Sequence, residues 1–154
     1  MLEIVFVMAL LGLFGITTYT LVMTGADTYS RLLNERDDNS NLRVAVSFIS
    51  MKIRQNDVEG TVGIVELSSG TALSIKEVIE DEIYETLVYQ YDGAVYELFH
   101  EYGDDLDVTA GEKVSDIGGM RLTEIAGGGI KIEVNTLPDW NGVSLEAVIG
   151  CRSS

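Results

Sequence analysis

Residues Ile4–Met23 read IVFVMALLGLFGITTYTLVM, 20 consecutive positions without a charged side chain. As a helix rising 1.5 Å per residue they extend roughly 30 Å, the thickness of a bilayer's hydrocarbon core. A signal peptide's apolar region is shorter, about 7–15 residues, and ends in a small-residue cleavage site. Thr24-Gly25-Ala26 is a weak version of such a site, so the length favours an anchor over a cleaved leader. A soluble core helix normally carries a polar stripe within five turns, and this stretch has none. Glu3 stands at its mouth. There an acid can reach the headgroups and complements the positive end of the helix dipole, or it can pair with the cationic N-terminus of a neighbouring subunit.

Beyond Asp27 the pattern stays helical but becomes amphipathic. Leu42, Val46, Ile49 and Ile53 recur at i, i+4, i+7 and i+11, a single apolar stripe widened by Ala45 and Phe48. Arg43, Ser47, Lys52 and Arg54 lie off its centre, so this helix is expected to pack on a sheet. The run Asp37–Asn41 (DDNSN) either caps a second helix or interrupts one long helix of some 50 residues. Its Asp37-x-Asn39-x-Asn41 spacing imitates a calcium loop. Leu42 replaces the required turn glycine, however, and Phe48 stands where the bidentate acid belongs.

From Thr61 the apolar period changes to strand-like alternation. Candidate strands are Thr61–Leu67, Ala72–Ile79 (ambiguous with helix), Glu82–Tyr91, Ala94–Tyr102, Met120–Ala126, Ile130–Leu137 and Val143–Gly150. Asp92-Gly93 is a strong hairpin signal, because a type I′ turn needs positive φ at both central residues. Gly127–Gly129 joins another pair, and Asn141-Gly142 precedes the last strand. The fold class expected is α+β: a long N-terminal helix, first transmembrane and then amphipathic, packed on an antiparallel meander of six to eight strands. The corresponding segments are 1–24 for the membrane or filament-core helix, 25–60 for the amphipathic neck and 61–154 for an acidic β-rich domain.

The 25 acidic and 10 basic residues give a formal charge of −15, and only Glu3 of the acids precedes Asp27. A surface this negative repels phosphate backbones, so direct nucleic-acid binding is not expected. The sequence holds one cysteine, Cys151, and one histidine, His100. A Cys/His zinc site or a Cys–His pair is therefore not expected, and His100 reads as an ordinary strand residue. Gly127–Gly129 lacks the spacing and the Lys-Ser/Thr of a phosphate loop. Asp104, Asp105 and Asp107 read as a solvated turn rather than a calcium site. No cofactor or metal motif emerges, and the chain is expected to be non-enzymatic.

An apolar span with an acid near its start, a continuing amphipathic helix and a β-meander together resemble type IV pilins and the pseudopilins of type II secretion and competence systems. More closely, LEIVFVMALLGLFG (Leu2–Gly15), TGADTYSRL (Thr24–Leu32), NLRVAVSFISMKIRQNDVEG (Asn41–Gly60) and YQYDGAVYELF (Tyr89–Phe99) look like domain-of-unknown-function family 4860, a group of pilin-like proteins of Gram-positive anaerobes. The pilin resemblance implies a structural subunit, a minor pilin or pseudopilin. Its partners would be other pilin-like subunits, in a homo- or hetero-oligomeric filament. It also implies membrane insertion through residues 4–23 and an extracytoplasmic main domain. Glu3 would contact the adjacent subunit's N-terminal amine, and Gly12 and Gly15 would permit close helix–helix approach. The chain departs from the pilin pattern in two respects: no Lys/Arg-Gly cleavage site precedes the span, and Glu3 lies nearer the first residue than the pilin acid does. Arg31 and Arg36 follow the span, and by the positive-inside rule they favour a cytoplasmic domain. The acidic β domain argues for export, and export is the reading taken. The alternative function is a membrane-anchored binding module whose acidic sheet engages a basic partner or a cell-wall component.

Overall fold

The computed structural model describes residues 2–58 and 60–150, with the backbone alone for 30–35. One helix, α1 (Leu2–Gln55), is followed by eight strands. These are β1 (Val62–Leu67), β2 (Gly70–Ile79), β3 (Glu82–Tyr91), β4 (Ala94–Glu101), β5 (Glu112–Asp116), β6 (Gly119–Ile125), β7 (Gly129–Asn135) and β8 (Ser144–Gly150). The fold is α+β. By packing, the chain divides between Asp37 and Asp38 into two units. Asp37–Asn41 neither caps nor interrupts a helix, and α1 runs through it. Cys151 and Glu59 lie outside the described residues.

In the unit that begins at Asp38, the apolar stripe does what its spacing requires. Leu42, Ala45, Val46, Ile49 and Ile53 are buried, and they meet Leu73, Ile75, Val88 and Val95 of the β1–β5 sheet in one core. Each aliphatic side chain withdrawn from water in this way contributes about 1.5–3 kcal/mol. Lys52, at the edge of the stripe, forms an ion pair with Glu97 of β4. The other face of the same sheet buries Ala72, Leu87 and Tyr89 under the segment after β4. There the Tyr89 hydroxyl donates to the Val108 carbonyl at 2.8 Å.

The single meander expected from the sequence is two sheets. Strands β1–β5 form one, in chain order, and β6–β8 form the other, all antiparallel. The division falls at Ile117-Gly118. Neither residue has the positive φ that a two-residue hairpin needs, so the chain runs on instead of folding back. The Ile117 N–H bonds to the Gly93 carbonyl of the first sheet, at 2.9 Å. The next N–H, that of Gly118, bonds to the Asn135 carbonyl of the second at 2.7 Å. A Cβ at position 118 would overlap the Leu137 backbone, so the crossing point has room only for glycine. The β6–β8 sheet supplies Met120, Leu122, Ile130, Ile132, Val134 and Ile149 to the same core.

Asp92-Gly93 is a two-residue turn with φ of 42° and 74°, as its sequence predicts. The β2–β3 turn has the same form at Glu80-Asp81, with φ of 51° and 70° and no glycine. Acidic side chains in the left-handed region cost on the order of 1 kcal/mol each. Glu80→Asn/Asp81→Gly is therefore expected to stabilise the fold by about 1 kcal/mol, read as a thermal midpoint raised by about 4 °C.

Candidate functional site

The residues assigned to subunit assembly all lie in the first unit. Helix α1 from Leu2 to Tyr29 is long and apolar enough to cross a membrane, and none of its most apolar stretch is buried within the chain. A helix in lipid must satisfy its own polar groups. This one does so through its threonines. The Thr17 and Thr18 hydroxyls donate to the Phe14 carbonyl at 2.9 and 2.8 Å. Thr20 donates to the carbonyls of Thr17 and Ile16, Thr24 to that of Thr20, and Thr28 to that of Thr24. Such bonds to the preceding turn hide each hydroxyl and leave only methyl groups outward.

Glu3 occupies the first turn of α1. A Cβ at Gly12 or Gly15 would meet nothing within 4 Å. Mid-helix glycine costs about 1 kcal/mol against alanine, and no contact within the chain accounts for either one. At 100° per residue Gly12 and Gly15 lie about 60° apart round the helix, and Glu3 lies about 180° from Gly12. The structure thus groups the glycines and sets Glu3 on the other side of the helix. A further shallow trough along the same helix is lined by Leu21, Thr24, Gly25, Thr28 and Tyr29. In the sequence, Thr24 and Gly25 belong both to a weak cleavage site and to the TGADTYSRL stretch that carries the family resemblance.

Elsewhere, the chemistry-bearing residues form three local arrangements. On the β2–β4 face, the Ser74 hydroxyl donates to Glu85 Oε1, and His100 Nε2 stands 3.4 Å from Glu85 Oε2. The strand register places Glu85 directly opposite His100. His100 is thus part of a buried polar group that its strand context gave no hint of. The carboxylate occupies the place between serine and histidine, so the imidazole does not hold the serine proton as a nucleophile's base does. Asp107 accepts from the Thr109 hydroxyl at 2.6 Å and the Thr109 N–H at 2.9 Å, which holds its carboxyl below the usual range. That turn is firm above the unfolded carboxylate value of about 3.9 and loosens as pH falls through the lowered one. Asp139 is lowered in the same way by Asn141. No three His, Cys, Asp or Glu side chains gather as metal ligands among the described residues. Asp37, Asn39 and Asn41 lie within α1, where Asn39 stands about 200° round the helix from Asp37, so the three do not converge on one point.

These features define a class: a two-sheet α+β domain on a chain whose N-terminal helix has the length and composition of a membrane span. The chain belongs to the family described as domain of unknown function (DUF4860), whose model matches residues 40–136. That segment runs from the amphipathic part of α1 through β7 and leaves out the apolar span and β8. Comparison with curated proteins and with solved structures finds no match.

Proposed function

We propose that this protein is a structural subunit, a minor pilin or pseudopilin, of a filament of the type IV pilus, competence or type II secretion kind. The observation that carries the reading is the apolar part of α1: its large apolar side chains from Leu2 to Tyr29 are exposed, and its threonine hydroxyls are internally satisfied. Such a surface requires an apolar environment, either lipid or the same helix of neighbouring subunits. Gly12 and Gly15 lower the helix surface where a neighbour would approach. Glu3, the only charged side chain before Asp27, would be neutralised by the amine at a neighbour's N-terminus, since a carboxylate inside an apolar core is tolerated only when paired. The acidic β domain would form the extracytoplasmic outer surface of the assembly.

Glu3→Ala is expected to lower incorporation of the chain into sheared surface fibres at least about tenfold, because the carboxylate–amine pair is lost. Folding of the residues after Asp38, followed by circular dichroism, should not change. Undiminished incorporation of the variant would overturn the reading.

A further inference from the structure

Within the unit that begins at Asp38, two of the exposed surfaces have complementary chemistry. The first is the side of α1 turned away from the sheets. Arg43, Ser47, Ser50 and Arg54 repeat the spacing of the buried stripe one residue later. Val44 and Met51 flank them, 47% and 43% exposed. Lys52, Lys113 and Lys131 are each paired with carboxylates of their own domain, and Lys76 and Arg121 lie over the rings of Tyr102 and Trp140, whereas Arg43 and Arg54 have neither an ion pair nor a ring contact among the described residues. A shallow trough lined by Ser47, Ser50, Met51 and Arg54 runs along this side. The small serines leave the helix backbone open to close approach.

The second surface is the far end of β2–β4. Val78, Ile83 and Tyr102 on one face, and Ile79 and Phe99 on the other, are between 42% and 72% exposed there. The strained turn holds Glu80, Asp81 and Glu82 in succession at its tip, all exposed. An acidic tip with exposed apolar side chains on either face of the sheet behind it fits an apolar strip flanked by arginines.

The geometry points to a contact between copies of this chain, in which the Glu80–Asp81–Glu82 tip of one copy seats on the Arg43–Arg54 face of the next. The inference rests on the filament-subunit reading and names the partner surface for it. Charge identifies the occupant. Two chains of net charge −15 repel each other over most of their surfaces. The arginine face of α1 is where an acidic copy can approach with gain, and the chain itself supplies the carboxylates. In a filament this contact is heterologous: each copy offers its helix face to one neighbour and its tip to another, which propagates a row.

The test uses the full chain in cells, with the photo-crosslinking residue benzoylphenylalanine replacing Ser47. An adduct of twice the 16.8 kDa chain mass is expected, with the crosslink mapping by mass spectrometry to residues 77–83. Arg43→Glu/Arg54→Glu should reduce it at least about tenfold, and adding Glu80→Lys/Asp81→Lys should restore it. Glu80→Asn/Asp81→Gly removes both charges while relieving the turn, so loss of the adduct in that variant is not a folding defect. An adduct with another protein or with lipid, a self-adduct mapping elsewhere, or no response to charge reversal overturns the contact. If Glu3→Ala blocks incorporation but Ser47 yields no self-adduct, the filament reading stands and this contact falls. A charge-dependent self-adduct in cells whose fibres lack the chain would uphold the contact and overturn the filament reading.

Discussion

A chain lacking residues 2–29 is expected to move from the membrane fraction to the soluble one. The deleted stretch is the only candidate span among the described residues, and all its large apolar side chains are exposed. Each buried CH₂ contributes about 0.8 kcal/mol to partitioning, so a span of this length outweighs every other membrane contact available to the chain. The remainder works against association, because its acidic surface is repelled by anionic headgroups within a Debye length. Carbonate extraction of membranes, followed by sedimentation, measures the outcome. The full chain should resist extraction and the shortened one should appear in the supernatant. Full-length protein released by carbonate would show that residues 2–29 do not anchor it.

Ile49→Ala should destabilise the domain by about 3 kcal/mol, with a thermal midpoint lowered by about 10 °C in the detergent-solubilised chain. Ile49 is fully buried where α1 meets the core shared by both sheets. Truncation would leave a cavity in the core to which α1 and both sheets contribute. Val44→Ala, five residues earlier on the exposed side, should change stability by no more than about 0.5 kcal/mol. Equal effects of the two substitutions would mean that α1 does not pack by the stripe.

These expectations draw on different levels of information. The stripe from Leu42 to Ile53 was readable because a helix repeats every 3.6 residues whatever it packs against. The Asp92-Gly93 turn was readable because its conformation excludes most other residue pairs. Glu80-Asp81 adopts the same turn, yet its residue types gave no turn signal, since the pair has no glycine and Glu seldom occupies the left-handed region. Strand β5, reading EKVSD, has one apolar residue and no alternation to detect. It is held by pairing with β4 and by the Ser115 hydroxyl, which donates to the Asn41 carbonyl of α1 at 2.9 Å.

The candidate site divides in the same way. Glu3, Gly12 and Gly15 were visible as residue types in an apolar run, and their angular separation follows from helix geometry alone. The Ser74–Glu85–His100 group was not visible. Its members are separated by 11 and 15 residues and meet only through the register of β2, β3 and β4. The acidic tip and the arginine face likewise lie far apart in the chain, and neither is marked in the sequence as left uncovered.

The sequence by itself determined an apolar span, an amphipathic helix and a series of short strands, because each is written in a local period that solvent or lipid enforces. It left open whether Asp37–Asn41 breaks the helix, and it suggested one sheet. The tertiary structure alone decided that α1 continues through that run and that the strands part at Ile117-Gly118. The parting of the strands turns on hydrogen bonds and close packing between residues distant in sequence, where local periodicity carries no information.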